Sequence, residues 1–221
     1  MASYFITGTG TGVGKTLVTA ALCYKHAGKV AALKPVVSGF TGDAESDPAL
    51  LLRSLGRAPT LMEIKAIAPW RFAAPLSPDM AAGAEGRVLA LEEIVAFCRA
   101  SARKSELLLI EGAGGVMSPL THDHTNMDLM AALGWPVLLV TGNYLGSLSH
   151  TLTALYALQG RGVPVQAVVV NETSAEVPLA ATAESLTRFT GNSVPVYALP
   201  KLAGTHEARW HAAAELLPEL I

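Results

Sequence analysis

The sequence predicts an α/β fold in which a mainly parallel sheet carries helices on both faces. Short aliphatic runs, typical of buried parallel strands, alternate along the chain with stretches of helical periodicity. Polar or glycine-rich segments follow several of these runs, at the edge where open α/β sheets bind ligands. No repeat, linker or low-complexity tract interrupts the alternation. We therefore expect residues 1–221 to form a single domain of this class.

Composition and charge agree with a globular protein. Hydrophobic residues make up 51% of the chain, charged residues make up 15%, and the formal net charge is −2. A chain of this charge without a basic cluster is not expected to bind nucleic acid or membranes. The first strand pattern begins at residue 3, so we expect no signal peptide, and no apolar run reaches membrane-spanning length. We therefore expect a cytoplasmic protein in which Cys23 and Cys98 are core thiols.

The segment between the first strand and the first helix predicts a phosphate-binding loop. An apolar run at 4–6 predicts the strand, and a helical pattern begins at Lys15. The loop between them is rich in glycine, at Gly8, Gly10, Gly12 and Gly14. Glycines let backbone N–H groups approach phosphate oxygens, Lys15 supplies a positive charge, and the Thr16 hydroxyl is placed to ligate Mg²⁺. This order predicts a P-loop NTPase fold, with a purely structural glycine turn as the alternative.

The next elements bring a lysine to the same edge of the sheet. The helix that follows the glycine loop is predicted over 15–27, with Gly28 as its C-cap. Aliphatic residues at 30–33 predict the second strand, and Lys34 follows it directly. Lys34 is either a ligand-binding lysine or a solvated residue at the end of a strand.

A polar loop over 38–48 leads into a second helix. Asp47 and Pro48 begin this helix, so Asp47 is either its N-cap or a carboxylate directed at a metal. The stretch 67–79 is interrupted by prolines and is predicted to be a loop. It forms either the wall of a small-molecule pocket or a packed excursion on the surface.

A strand that ends on an acidic residue supplies a second candidate metal ligand. A helix at about 91–104 precedes the aliphatic run 107–110, which ends on Glu111. A glutamate that closes a buried strand is costly unless it is paired or lies near a cation. We therefore interpret Glu111 as a carboxylate directed at a metal beside the phosphates, with a purely structural acid as the alternative. The glycine-rich residues 112–115 allow a second close approach of the backbone to a ligand.

The rest of the chain continues the same alternation. Strands are predicted over 137–140, 165–170 and 194–198. Helices are predicted near 126–133, 180–189 and 207–217, and another follows the loop 141–150 and ends at about 159. His150 begins the helix that ends near 159, where an orienting or interface role is as plausible as catalysis. His122 and His124 have no further partner at zinc-like spacing, so we interpret them as solvated loop histidines.

Two classes of P-loop protein do not fit the sequence. Guanine-specific GTPases carry Asn-Lys-x-Asp at a late strand end, where this chain has Asn171 followed by Glu172, Thr and Ser. Switch ATPases of the ParA/MinD type carry an additional lysine five residues before Lys15, where this chain has Gly10.

Six motifs, in the same order along the chain, resemble those of dethiobiotin synthetases. The resemblance extends over essentially the whole length of the chain. The matching segments are Thr-Gly-Thr-Gly-Thr-Gly-Val-Gly-Lys-Thr (7–16), Lys-Pro-Val-Val-Ser-Gly (34–39), Ser-Asp-Pro-Ala-Leu (46–50), Ala-Pro-Leu-Ser-Pro (74–78), Glu-Gly-Ala-Gly-Gly (111–115) and Leu-Gly-Ser-Leu-Ser-His (145–150). The resemblance implies an ATP- and Mg²⁺-dependent ligase that joins CO₂ to 7,8-diaminononanoate through a carbamate and a carbamic–phosphoric anhydride. It also implies a homodimer in which the loop before His150 reaches the partner's substrate. The competing hypotheses are a P-loop regulatory switch and another carboxylating or amide-forming ligase.

The resemblance also assigns roles to individual residues. Lys34 and Lys15 are the implied catalytic residues. The implied nucleotide-binding residues are Gly12, Val13, Gly14, Lys15, Thr16, Leu17, Asp47, Glu111, Gly112, Ala113, Gly114, Asn171, Glu172, Pro200, Lys201, Leu202 and Glu207. Of these, Asn171, the stretch 200–202 and Glu207 correspond to the adenine pocket of the family. The implied Mg²⁺ ligands are Thr16, Asp47 and Glu111, and the implied substrate contacts are Ser38, Gly114, Leu145, Gly146 and Ser149. Two positions depart from the family pattern. Ser149 replaces an expected Asn, which bears on carboxylate binding, and Lys201 replaces a frequent aromatic residue, which bears on the preference for adenine.

Overall fold

Strands and helices alternate along the chain, as the sequence predicts. The computed structural model describes residues 2–42, 44–191 and 193–221. Its strands are β1 (Ala2–Gly8), β2 (Val30–Leu33), β3 (Val36–Val37), β4 (Trp70–Arg71), β5 (Leu107–Glu111), β6 (Val137–Gly142), β7 (Val165–Asn171) and β8 (Val196–Leu199). Its helices are α1 (Lys15–Lys25), α2 (Asp47–Ser54), α3 (Leu61–Ile67), α4 (Pro78–Ala84), α5 (Leu91–Ala102), α6 (Asn126–Leu133), α7 (Ser147–Gly160), α8 (Leu179–Thr190) and α9 (His206–Leu216).

The central sheet is parallel throughout and is flanked by helices, which confirms the predicted fold class. The described residues form a six-stranded sheet in the order β2-β5-β1-β6-β7-β8. In its register Ile6 lies opposite Glu111, and Gly8 lies opposite Val140. Because parallel strands end at the same edge, the glycine loop after β1 and the carboxyl ends of β2, β5 and β7 meet there.

The strands form the middle of the core because their side chains are aliphatic on both faces. The central residues of β5, β6 and β7 are fully buried, as expected for a parallel sheet covered on both sides. Helix α1 packs against α2 and α9. Cys23 and Cys98 are buried free thiols, and burial raises the pKa of each to about 12. The prediction that they are core thiols is confirmed.

The stretch 67–79 contains more regular structure than the sequence predicts. Strand β4 pairs in parallel with β3 in a separate two-stranded sheet, so Val37 lies opposite Arg71. Helix α4 begins at Pro78, because a proline fits the first turn of a helix, where its missing N–H is not needed. The prediction of a loop is therefore wrong at both ends of this stretch and correct for the residues between them.

Helix termini provide further corrections. The N-cap of α2 is Ser46, and Asp47 is the first residue of the helix, so the interpretation of Asp47 as an N-cap is wrong. Helix α1 ends at Lys25 with His26 as its C-cap, and Gly28, with φ +86°, lies in the following turn. Among the described residues, no helix combines the length and the apolar character that a membrane crossing needs.

Candidate active site

The loop between β1 and α1 contains two glycines whose backbone conformation disfavours any other residue. Gly12 has φ +75°, and Gly14, the N-cap of α1, has φ +102°. Residues with a side chain are strained in this left-handed region. A Cβ atom at Gly14 would also lie 2.4 Å from Nδ2 of Asn171. Gly14 is therefore required both by its own backbone and by the close approach of the end of β7.

Lys15 is buried although it carries a charge. Its side chain is 6% exposed, and its Nζ donates a hydrogen bond to the carbonyl of Gly10 at 2.7 Å. The lysine therefore lies across the glycine loop. Burial and, secondarily, the nearby Lys34 ammonium lower the pKa of Lys15 to about 8. An anion bound in the loop would stabilise the charged form of this lysine.

A cluster of charged residues closes the cleft beside Lys15. Lys34 Nζ lies 2.5 Å from Glu111 Oε1 and 2.8 Å from Asp47 Oδ2. The Thr16 hydroxyl lies 2.9 Å from Asp47 Oδ1 and 2.9 Å from Glu111 Oε1. Lys34 is 3% exposed and Glu111 is 1% exposed. The structure thus brings the ends of β2 and β5 and the first turns of α1 and α2 to one point.

Lys34 and Asp47 stabilise the charged form of each other. Burial opposes the charge of Lys34, but Glu111 and Asp47 outweigh this effect and raise the pKa of Lys34 above its usual range. Burial likewise opposes ionisation of Asp47, but the Lys34 ammonium and the Thr16 hydroxyl lower the pKa of Asp47 below its usual range. At neutral pH Lys34 and Asp47 therefore form an ion pair.

One carboxylate oxygen of the cluster has spare hydrogen-bonding capacity. Glu111 Oε2 is fully buried and has no hydrogen-bond partner among the described residues. A buried acceptor left unpaired costs about 1–3 kcal/mol, so this oxygen is suited to an added cation or donor. No group of three or more His, Cys, Asp or Glu suited to a metal occurs in the described parts of the chain. Two carboxylates and a hydroxyl are nonetheless enough for Mg²⁺, which takes its remaining ligands from phosphates and water.

The cleft has a volume of about 390 Å³. It is lined by Thr11, Gly12, Gly14, Lys15, Thr16, Lys34, Val37, Ser38, Asp47, Glu111, Ala113 and Gly114. The predicted catalytic and metal-binding residues therefore face the same space as Ser38 and Gly114, which are predicted substrate contacts. The loop after β5 contributes Ala113 and Gly114 to the lining of this cleft. Lys34 Nζ contacts the same loop, because it donates a hydrogen bond to the carbonyl of Gly112 at 3.2 Å.

The remaining predicted substrate contacts lie elsewhere. Gly146 is the N-cap of α7, with φ +96°, and Leu145 beside it is 94% exposed. Neither of these residues nor Ser149 lines the cleft around Lys34. A second cleft of about 500 Å³ lies on the other side of the glycine loop and is lined by Thr9, Gly10, Thr11, Gly115, Val116, Met117, Ser118, His150, Thr153, Ala154 and Ala157. Helix α7 therefore contributes His150, Thr153, Ala154 and Ala157 to this second cleft.

The end of β7 lies against the glycine loop. Asn171 Nδ2 donates to the carbonyl of Val13 at 3.2 Å. Glu172 accepts a hydrogen bond from the backbone N–H of Lys201 at 2.8 Å, which holds the predicted adenine-binding stretch 200–202 beside β7. Glu207 is exposed on α9, and its carboxylate lies 4.0 Å from His211. Asn171 thus contacts the glycine loop, and Glu172 contacts Lys201. Glu207 takes part in neither of these contacts.

Sequence reasoning missed two buried asparagines that hold these loops. Asn126 Nδ2 donates to the carbonyls of Ala113 and Gly115, which fixes the loop after β5. Asn143 Oδ1 accepts from the backbone of Thr173 at 2.7 Å, which fixes the loop after β7. Both asparagines follow a turn or strand end, where polar residues are common, so the sequence has no pattern that singles them out.

Sequence reasoning also missed half of the lining of a third cleft, on the side of the glycine loop that faces α9. This cleft has a volume of about 340 Å³ and is lined by Gly12, Gly14, Thr16, Leu17, Ala20, Glu45, Asp47, Leu50, Asn171, His206, Arg209 and Trp210. Of the residues predicted around the base, only Asn171 lines it. No motif marks His206, Arg209 or Trp210 in the sequence.

These features together define a P-loop nucleotide-binding protein. The fold agrees with this class, because solved structures of P-loop ATPases superpose on the chain. A ParA family ATPase from Chlorobium tepidum TLS covers 97% of this chain and 91% of its own, with TM-score 0.55 and 12% identity. The septum site-determining protein MinD from Pyrococcus horikoshii OT3, complexed with Mg-ADP, covers 95% of this chain and 85% of its own, with TM-score 0.54 and 19% identity. At these identities the likeness concerns the fold alone.

Sequence comparisons identify the family. A family model described as an AAA domain matches residues 2–208. The ATP-dependent dethiobiotin synthetase BioD of Caulobacter sp. (strain K31) is 49% identical over 91% of this chain and 89% of its own length. The enzyme of that name from Phenylobacterium zucineum (strain HLK1) is 45% identical over 96% of this chain and 93% of its own length. The chain belongs to the dethiobiotin synthetase family of ATP-dependent ligases, which confirms the resemblance predicted from its motifs.

Proposed function

We propose that the chain uses ATP to close the ureido ring of dethiobiotin from 7,8-diaminononanoate and CO₂. The relatives named above are ATP-dependent dethiobiotin synthetases. The observation that carries the assignment to this site is the position of Lys34. Its buried ammonium lies between Asp47 and Glu111 in the same cleft as Lys15 and Ser38. A regulatory switch has no evident use for a second buried lysine in a cleft that is also lined by a candidate substrate contact.

The chemistry follows from the weakness of a carbamate as an electrophile. One amine of the substrate adds to CO₂ and loses a proton, which gives a carbamate. A carbamate oxygen attacks the γ-phosphorus of ATP, ADP leaves, and a carbamic–phosphoric anhydride forms. The second amine attacks the carbonyl carbon, phosphate leaves with the C–O bond electrons, and the proton lost by the amine passes to solvent. The phosphoryl-transfer step brings together two anions, the carbamate and ATP, so the contribution of the protein is positioning and charge neutralisation.

The lysines are placed for this task. Lys15 lies across the glycine loop, where it would neutralise the terminal phosphates. Lys34 faces the same cleft from the end of β2 and would bridge the carbamate and the γ-phosphate. Its raised pKa keeps it an ammonium group throughout the neutral range. Both lysines are thus cationic binding groups and not proton donors in this proposal.

Thr16, Asp47 and Glu111 would hold Mg²⁺. The unpaired Glu111 Oε2 and the oxygen-only donor set fit a hard divalent cation. When bound, Mg²⁺ supplies charge neutralisation on the phosphates. The same carboxylates contact Lys34, so they serve both the cation site and the lysine.

The tail of the substrate and the assembly complete the proposal. Ser38 and Gly114 would contact the diamine or carbamate in the cleft. Leu145, Gly146 and Ser149, at the start of α7, would receive the substrate carboxylate of a partner subunit through backbone N–H groups. The homodimer and the cytoplasmic location stay predictions.

Phosphate release provides the test. Release from Mg·ATP is measured with and without 7,8-diaminononanoate and bicarbonate, in the wild-type chain, in Lys34→Ala and in Lys65→Ala as a control on the surface of α3. We expect diamine-dependent release in the wild type and the control, and a loss of at least about 100-fold in Lys34→Ala, because an electrostatic contact to the transition state is removed. Release that does not respond to the diamine in the wild type would refute the proposal and favour a switch ATPase.

A further inference from the structure

Helix α9 runs alongside α1 in the same direction. Lys25, the last residue of α1, donates to the carbonyl of Leu217, which directly follows α9, at 2.8 Å. One residue earlier in α1, the ring of Tyr24 stacks on His211 with centroids 4.0 Å apart. Because the two ends coincide and the helices pack along their length, the first turn of α9 lies next to the first turn of α1.

The third cleft lies between these two first turns and continues the cleft around Lys34. Both clefts are lined by Gly12, Gly14, Thr16 and Asp47. Lys15 and Lys34 line only the first cleft, whereas Leu17 and Arg209 line only the third. A triphosphate whose terminal phosphates reach Lys15 would therefore direct its sugar-side end over Thr16 and Leu17 into the cleft beside α9.

Arg209 lines this cleft, and its side chain contains an unpaired donor. The residue is half-buried, and its Nε is fully buried without a hydrogen-bond partner among residues 2–42, 44–191 and 193–221. A guanidinium is charged at any working pH, and a buried donor of this kind is costly unless an acceptor is supplied. An anion bound in this cleft would supply an acceptor to the Arg209 guanidinium.

The other charged groups around the cleft have different positions or partners. The His206 ring lies 3.9 Å from the Glu45 carboxylate, at the solvent side of the cleft. Asp47 lines the cleft but is paired with Lys34 at 2.8 Å. Among the described residues that line this cleft, Arg209 is therefore the side chain with a permanent positive charge.

We infer that Arg209 binds the α-phosphate of the nucleotide and holds its sugar-side end against the glycine loop. The inference rests on the proposed function, because it concerns the nucleotide that this function requires. A guanidinium pairs with phosphate oxygens in a bidentate manner and makes no distinction between bases. Arg209 therefore contributes affinity that ATP, ADP, GTP and CTP share. The base itself is left to the stretch 200–202, where Lys201 stands in place of an aromatic residue.

Nucleotide titrations test the inference. Dissociation constants for ATP, ADP, GTP and CTP are measured by calorimetry in the presence of Mg²⁺ for the wild type, Arg209→Ala, Arg209→Lys and Arg188→Ala. Arg188 is a matched control, since it lies on α8, where its guanidinium contacts Phe189 and Ser185, and it lines neither of the two clefts beside the glycine loop. Removal of a charge-assisted phosphate contact should weaken all four nucleotides about 10-fold or more in Arg209→Ala. Arg209→Lys keeps the charge and should recover part of the loss.

Steady-state kinetics separates this inference from the proposed function. We expect Arg209→Ala to raise KM for ATP by a similar factor, with kcat and KM for the diamine within about twofold of the wild type, because an α-phosphate contact changes little in the transition state. Affinities unchanged in both Arg209 variants would overturn the inference, and so would a loss confined to ATP and ADP. The wild-type chain would still show diamine-dependent turnover in either case. Absence of that turnover in the wild type would instead refute the proposed function.

Discussion

The cleft around Lys34 and the region at the start of α7 are built in opposite ways. In the first, Lys34, Asp47 and Glu111 are held by contacts of 2.5–2.8 Å, and the lysine and the glutamate are almost completely buried. In the second, Leu145 is 94% exposed and Tyr156, on the same helix, is 69% exposed. The charged cluster that we propose for phosphoryl transfer is thus assembled within one chain. The region proposed to receive the substrate tail instead presents exposed apolar side chains and backbone, as a surface that meets another molecule does.

The largest effect should come from the glycine loop that serves the first region. Gly14→Ala places a Cβ atom 2.4 Å from Asn171 Nδ2 at a residue with φ +102°, so the loop cannot keep its conformation. We expect ATP affinity to fall by about 100-fold or more, since several phosphate contacts depend on this backbone. Calorimetric titration with ATP measures the loss.

Gly134→Ala is the matched control for this substitution. Gly134 has φ +70° as the C-cap of α6, and a Cβ atom there meets nothing within 4 Å. It should cost about 1 kcal/mol of stability through backbone strain and leave ATP affinity unchanged. Equal ATP affinity in the Gly14 and Gly134 variants would contradict the assigned role of the loop.

The next effect concerns the charge of the cluster. Glu111→Gln keeps the shape of the side chain but removes one of the two carboxylates that contact Lys34 and the proposed Mg²⁺ site. We expect turnover to fall about 100-fold, and the stabilisation of ADP binding by Mg²⁺ to be largely lost. Titration of ADP with and without Mg²⁺ measures the second effect independently of turnover. A variant that retains the full Mg²⁺ dependence of ADP binding would remove Glu111 from the metal site.

A smaller effect is expected from the second region. Leu145→Asp introduces a charge at the exposed start of α7, and Met62→Asp makes the same change at a side chain that is 75% exposed on α3. If a partner covers the start of α7, Leu145→Asp should weaken the dimer and raise KM for the diamine about 10-fold, since charges are costly in the centre of an interface. ATP affinity should stay unchanged.

Sedimentation velocity and steady-state kinetics on both variants check this expectation. Met62→Asp should match the wild type in mass and in KM for the diamine. A Leu145→Asp protein that also matches the wild type would show that the start of α7 meets neither a partner nor the substrate tail.

The smallest effect concerns the support of the loop after β5. Thr125 and Asp128 form a capping box at the start of α6, next to Asn126, which holds that loop. Backbone N–H of Thr125 donates to Asp128 and lowers the pKa of this carboxyl below its usual range, with Arg161 adding to the effect. Asp128→Asn should cost about 0.5–1 kcal/mol of stability at pH 7.

The sign of the pH dependence follows from the lowered pKa of Asp128. Its stabilisation is complete above the usual pKa of an aspartate and is lost as the pH falls through the lower value of the folded state. The stability difference between the wild type and Asp128→Asn should therefore shrink below pH 4 or so. Urea unfolding at pH 7 and pH 3 measures it, with exposed Asp123→Asn as the control. A difference that grows towards acidic pH would contradict the assigned contact.

The comparison of sequence with structure follows the same division. Lys34 and Glu111 could be predicted because Lys34 directly follows an aliphatic strand, Glu111 ends another, and parallel strands end at one edge of the sheet. Strands β3 and β4 could not be predicted, because each has only two residues and is defined by its pairing with the other, which the sequence does not show. Helix α4, at the end of the stretch 67–79, has Ser77 as its N-cap and Pro78 as its first residue, a pattern that marks the start of a helix. The other prolines of this stretch favoured the prediction of a loop instead.

Arg209 shows the limit of motif reasoning. It lies inside α9, where an arginine is an ordinary helical residue, and only the alignment of α9 with α1 brings it to the glycine loop. The cap of α3 is a different case. Thr60 accepts a hydrogen bond from the backbone N–H of Glu63, the sequence pattern Thr-x-x-Glu that marks a helix start, so this helix could have been predicted.

The most direct test of the account follows the carbon atom that the reaction adds. The wild-type chain is incubated with Mg·ATP, 7,8-diaminononanoate and ¹³C-bicarbonate, and the organic product, ADP and phosphate are quantified by mass spectrometry and chromatography. The account predicts a product that carries one ¹³C in its ureido carbonyl and forms in equal amounts with ADP and phosphate. Formation of ADP and phosphate without a labelled ring product, with or without the diamine, would contradict it.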